Sequence, residues 1–253
     1  IVSQFLHKRL DEILLSMGTV ADLYREILIR LAAFGHHMYM QEVEAFWKFD
    51  EDQALAIRWK DAVDAWCASG MLICTKSPDG VPGNDSLEFS TPWHADIIQA
   101  VLPKTRLRNL KSQVALALID CYTTPNHEQY YRIALFWRGA RDAVSYIQCC
   151  QQSADQAFEK GDLAFALDRY DELIEVFDEL VSMNSPSPSI IQAIEWPQCI
   201  ISAAEVTLKL NKFKEFDAHT ERLKAWIDKF NESIYLPYFQ LLNAKKNLRN
   251  ENF

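Results

Sequence analysis

The sequence predicts a mainly α fold, in which a small winged helix with one β-hairpin is followed by tetratricopeptide-like α-hairpins. Three observations point there. Apolar residues recur at three- and four-residue spacing along most of the chain, which gathers them on one face of each helix. Only 7 glycines and 9 prolines punctuate 253 residues, too few turn formers for a many-stranded fold. One pair of short apolar runs, MLICT (71–75) and SLEFS (86–90), has strand chemistry, and it flanks KSPDGVPGND, which is dense in turn formers.

In chain order, Val20, Leu23, Tyr24, Ile27, Leu28 and Leu31 make 19–34 an amphipathic helix, and Gly35 stops it. A short helix is expected at 40–47. A longer one covers 52–69, with Leu55, Trp59, Val63 and Trp66 on one face and Gly70 after its end. Three helices and then a hairpin with a long loop is the order of a winged helix, and this hairpin is the only strand signal in the chain. Beyond it, helices are predicted at 92–102, 104–122, 128–138 and 142–160. The clearest is 162–181, where Leu163, Ala166, Leu167, Tyr170, Leu173, Ile174, Phe177 and Val181 form a continuous stripe. SMNSPSPS (182–189) is a loop, paired helices follow at 190–210 and 213–231, and a last helix starts near 236. The chain accordingly divides into a connecting helix (1–18), a winged helix (19–103) and a helical arm (104–253). Its opening, IVSQFLHKRLDEILL, reads as mid-helix, which predicts a piece of a longer protein.

Segment 147–180 has the layout of a tetratricopeptide repeat of about 34 residues. Ala154 and Ala157 let the first helix approach its partner, Gly161-Asp162 makes the turn, Ala166 sits at the crossing, and Tyr170 fills the space between neighbouring hairpins. A degenerate second unit fits 197–230, with Ala204, Asn211-Lys212, Phe213 and Leu223 in the corresponding places. There Phe216 and Thr220 stand where Ala and Tyr are expected.

Charge narrows the function classes. The net charge is -9 and the sequence pI about 5.2, and on either side of His127 the chain is net acidic. A domain-scale electrostatic footprint for nucleic acid is therefore missing. The expected recognition helix, 52–69, sets Arg58 and Lys60 against Glu51, Asp52, Asp61 and Asp64, which would repel phosphates. The one basic cluster is Lys104, Arg106, Arg108 and Lys111, read as a solvated or interdomain face; DNA binding is not expected. Six cysteines form no C-x-x-C pair and read as reduced core thiols of a cytoplasmic protein. No apolar run is long enough to span a bilayer.

Three stretches together resemble one family. Phe89-Ser90-Thr91-Pro92-Trp93-His94-Ala95-Asp96-Ile97-Ile98, continuing to Leu102-Pro103, resembles the F-S-H-P-L-x-x-E-x-I-x-x-x-L-P stretch of large bacterial STAND regulators, the signal-transduction ATPases with numerous domains. LuxR-type and maltose-activator-like transcription regulators are among them. ILIRLAAFGHHMYMQEVEAFW (27–47) is similar to the opening helix of their winged helix. YYRIALFWRGARDAVSYIQCCQQSADQAFEKGDLAFALDRYDELI (130–174) is similar to the first hairpins of their arm. The resemblance implies a winged helix behind an upstream nucleotide-binding domain, and an arm that receives a protein, peptide or other ligand. In this family a His commonly stands where Thr91 does, and related receptors use such a His to sense the nucleotide's phosphate. His94 lies three positions on, so a sensing role is left open between Thr91 and His94. No G-x-x-x-x-G-K-[ST] occurs; ATPase chemistry, if the parent protein has it, would lie upstream of Ile1.

Other constellations carry less. Adjacent His36 and His37 have no Cys or carboxylate at ligand spacing and read as a polar helix end. His7, His127 and His219 are isolated. Asp168, Asp171, Glu172, Glu175, Asp178 and Glu179 line the face opposite the apolar stripe, a solvated surface or a docking face for a basic partner. The expectation is thus a sensor and interaction module of a STAND-type protein, without a catalytic constellation, cofactor or membrane segment of its own. The alternative is a stand-alone tetratricopeptide-type adaptor for a peptide or protein.

Overall fold

A computed structural model describes residues 8, 11–15, 18–48, 52–78, 84–182, 196–230 and 233–250. The chain divides into two compact units, 1–123 with 136–141, and 124–135 with 142–253. It is mainly α-helical, with one small antiparallel sheet among the described residues.

In the first unit a 3-10 turn, Gly18–Val20, leads into α1, Ala21–Ala32, which buries Ile27, Leu28, Leu31 and Ala32 as their spacing requires. Gly35 follows with φ +96°, a left-handed conformation that costs glycine little. β1 (His37–Tyr39), α2 (Met40–Lys48) and α3 (Gln53–Ala68) come next. Asp52 caps α3 by accepting from the N–H groups of Ala54 and Leu55. β2 (Leu72–Thr75) and β3 (Ser86–Phe89) form the expected hairpin, with Leu72 opposite Phe89 and Thr75 opposite Ser86. α4 (Pro92–Val101) and α5 (Lys104–Cys121) follow in the same unit, whereas the sequence division places α5 in the arm.

The order helix, strand, helix, helix, hairpin is that of a winged helix, and it includes a strand the sequence did not reveal. β1 pairs with β3, so the sheet order is β1-β3-β2. The hairpin is therefore not the only strand element. Three residues are too short for period-two alternation to show: Met38 alone points into the core, opposite Leu87. His36 and His37 are corrected with it. They lie at the start of this strand and not at a helix end.

The second unit is helical. α6 (His127–Ala140) begins with a reciprocal cap, in which Asn126 N–H donates to Gln129 Oε1 and Gln129 N–H to Asn126 Oδ1, both at 2.9 Å. α6 runs through both units, its first part in the second and Phe136–Ala140 in the first. α7 (Ala143–Lys160) and α8 (Leu163–Ser182) form an antiparallel hairpin, and α9 (Trp196–Lys209) and α10 (Phe213–Phe230) form another. α8 packs on α9, and α11 (Leu236–Asn250) lies on α9 and α10. The Ser/Pro loop and the start of the helix predicted from 190 lie outside the described residues, as does most of 1–18.

Both hairpins close alike. Gly161 has φ +82°; its N–H reaches Phe158 C=O, and Asp162 N–H reaches Ala157 C=O. Asn211 has φ +60°, with its N–H on Leu208 C=O and Lys212 N–H on Thr207 C=O. This pair of bonds satisfies carbonyls that the helix end would otherwise orphan. Asn takes the place of Gly because its short polar side chain tolerates the left-handed region.

Candidate functional site

On the winged helix, α3 turns Leu55, Trp59, Ala62, Val63 and Trp66 inward. Its two cations are both spent on carboxylates. Lys60 Nζ lies 2.9 Å from Glu44 of α2, and Arg58 Nη1 lies 3.1 Å from Asp61. α4 shows a different surface. Its positions 93, 97 and 101 fall four apart, on one face. Trp93 is 66% exposed and Val101 57%, with Ile97 half-buried between them. A single exposed apolar residue is ordinary, but an exposed tryptophan continuing into a stripe marks a contact surface.

The sequence-predicted residues of this unit separate. His94 is buried, with its Nδ1 3.2 Å from Ser90 Oγ. Thr91 is exposed at the start of α4 and makes no side-chain cap bond. The basic cluster on α5 does not act as one patch. Arg106 turns towards α1 and clasps both carboxylate oxygens of Glu26, which also holds Arg30 at 3.2 Å. Lys104, Arg108 and Lys111 share another face of α5 by spacing. There Lys111 lays its stem over Gly139, where a side chain would collide with it, and burial lowers its pKa. His37 Nε2 is 3.6 Å and His36 Nε2 4.0 Å from the carboxylate of Glu88 on β3. Sequence spacing had hidden that carboxylate, which tertiary pairing brings opposite. No cluster of three or more ligating side chains exists among the described residues.

In the second unit Ala154, Ala157 and Ala166 have no exposed surface, and Tyr170 almost none. The Tyr170 phenol donates to Asp155 Oδ1 at 2.6 Å, and burial together with that carboxylate raises its pKa. The acidic face of α8 is partly engaged at both flanks. Glu172 accepts from Tyr131 at 3.1 Å and pairs with Arg169 at 3.6 Å, whose guanidinium stacks 3.8 Å from the Tyr131 ring. On the other flank Asp171 Oδ1 lies 3.3 Å from Nε2 of the buried His219, and Asp178 lies 3.8 Å from Arg222. Asp168 and Glu175 remain exposed between them.

One feature of this unit escaped the sequence. Phe158 of α7, Leu208 and Lys209 of α9, and Leu248 and Arg249 of α11 line an open groove, with Glu205 and Lys245 at its edge. The available signal was the composition of α11, which carries Lys245, Lys246 and Arg249 and no carboxylate. The six cysteines are thiols. Burial pushes Cys149 up to about 11 and Cys150 up to about 12, so both stay protonated at neutral pH; Cys74, expected in the core, is exposed.

Comparison with protein-family models, with curated proteins and with solved structures gives no match. No helix among the described residues is long and apolar enough to cross a membrane.

Proposed function

We propose that this chain is the winged-helix and arm region of a STAND-type regulator, a sensor and protein-interaction module. The observation that carries the proposal is the division of labour on the winged helix. Both cations of α3 are paired with carboxylates, while α4 turns Trp93 and Val101 outward. Such a unit suits an apolar protein contact and not a phosphate backbone. The α4 stripe would seat an upstream nucleotide-binding domain of the same polypeptide. The arm, with tetratricopeptide-like hairpins, would receive a ligand or partner and shift that contact to the extent that it binds one state better than the other. Of the two candidate sensing residues, Thr91 would be the one to touch a nucleotide held next to Trp93, since Thr91 is exposed and His94 is buried.

The test has two steps. The coding sequence upstream of Ile1 should specify a G-x-x-x-x-G-K-[ST] phosphate loop; its absence removes the STAND assignment. The nucleotide-binding domain, supplied as a separate polypeptide, should bind this chain, and Trp93→Ser should weaken that binding by about tenfold or more. Equal binding by the variant would show that the α4 stripe is not the contact. The second reading, a stand-alone adaptor, is favoured by the groove of α7, α9 and α11, which needs no upstream domain to be occupied.

A further inference from the structure

We propose that the groove of α7, α9 and α11 is a docking site for an acidic peptide segment bearing an apolar anchor residue. It rests on the interaction-module reading only in treating the arm as a receiving surface.

The groove floor is apolar. Leu208 is buried there, Phe158 is half-buried, and Leu248 is 62% exposed at the rim. Its charge is positive in a chain whose net charge is -9. Lys209 Nζ sits 3.9 Å from the centre of the Phe158 ring, and Arg249 Nη2 donates to the Lys209 carbonyl at 3.4 Å. Neither is paired with a carboxylate among the described residues. Lys245 is 2.5 Å from Glu205, and Lys246 is paired with Asp217, so the two unneutralised cations are those beside the apolar floor.

This arrangement selects its occupant. An aliphatic or aromatic side chain fits between Phe158, Leu208 and Leu248, and carboxylates before and after it reach Lys209 and Arg249. The guanidinium can take a carboxylate through two N–H groups, which adds direction to the attraction. A basic or neutral segment gains nothing from these cations. A second copy of the same α11 is disfavoured as well, because that helix brings three cations and no carboxylate.

The experiment titrates the full chain into a fluorescein-labelled peptide of about ten residues in which glutamates flank two leucines, read by anisotropy. Two controls replace the leucines by serine or the glutamates by lysine. The leucine-glutamate peptide should bind, the two controls should bind more weakly by about tenfold, and binding should weaken as salt rises. Arg249→Glu and Lys209→Glu should each lower affinity by about tenfold or more without lowering the melting temperature. Leu248→Ser should lower it too, through the apolar contact. Absence of binding would overturn the proposal, as would equal binding of the serine control. So would sedimentation showing a dimer of the free chain that Arg249→Glu dissociates, since a second copy would then fill the groove. None of these outcomes touches the Trp93 test, so failure here and failure of the STAND reading are told apart.

Discussion

The phenol of Tyr122 donates a hydrogen bond to Oε1 of Glu42, joining the end of α5 to the first turn of α2 across 80 positions of sequence. Glu42 has no exposed surface, and its other oxygen accepts from the Tyr39 N–H at 3.0 Å, satisfying a donor at the start of α2. A buried carboxyl group that loses one donor is costly to keep. Tyr122→Phe should therefore destabilise the first unit by about 2 kcal/mol. Combined with Glu42→Ala, which removes the acceptor, it should cost less than the two single changes added, because both remove the same interaction. Denaturant melts followed by tryptophan fluorescence measure this, and a cost below about 0.5 kcal/mol for Tyr122→Phe would show that the bond contributes little.

Asp171 and His219 should give the second unit a pH response of unusual shape. Their 3.3 Å contact would favour an ionised carboxylate beside an imidazolium, but burial disfavours both charges. Burial first, and Arg222 next, bring His219 down to about 4 from 6.5. Burial raises Asp171 from 3.8 to about 6, helped by Asp168 and Glu175 and opposed by Arg222 and Lys212. A depressed imidazole makes the fold lose stability as pH falls from 6.5 towards 4. A raised carboxyl makes it lose stability as pH rises from 3.8 through 6. The two effects oppose one another across one window. Asp171→Asn removes the second, so stability should then rise more steeply with pH between about 4 and 6.5 than in the parent chain. Thermal melts at several pH values in that window decide it, and parallel curves for the two proteins would show that the fold does not raise the Asp171 carboxyl. Imidazole proton resonances should also show His219 still neutral at pH 5.

Ala166 and Ala164 share a helix and a starting residue but not an environment. Ala166 is fully buried on α8, on the side where the repeat layout expects the crossing with α7, and Ala164 is exposed. Ala166→Leu should overpack the crossing and cost about 1–3 kcal/mol. Ala164→Leu should stay within about 0.5 kcal/mol. Equal tolerance at the two positions in denaturant melts would mean that the helices do not approach closely there.

Duplex DNA should not be retarded by this chain at physiological salt. The cations of α3 are neutralised within the unit, and Arg106 of α5 is held by Glu26. A mobility-shift titration checks this. A steep salt-dependent affinity, abolished by reversing Lys104, Arg106 and Arg108, would show that α5 binds phosphates despite that pairing.

Local patterns were legible in the chain because their causes are local. The stripe from Leu163 to Phe177 follows from 3.6 residues per turn, and the closing turn at Gly161 from the one residue type that takes φ +82° without cost. The hairpin strands and the buried Ala154, Ala157 and Ala166 belong to the same category. What tertiary structure alone decided involves partners far apart in sequence. β1 exists because β3 offers it a register, not because HMY has strong strand preference. Arg106 ceased to be a lone cation when α1 brought Glu26 to it, and the Glu42 carboxyl left solvent when Tyr122 closed over it. Periodicity assigns a residue to a face, but a face acquires its charge and its neighbours only when helices pack. The groove shows this most directly: Lys209 and Arg249 lie on different helices and read as ordinary surface cations until packing sets them beside Phe158 and Leu208.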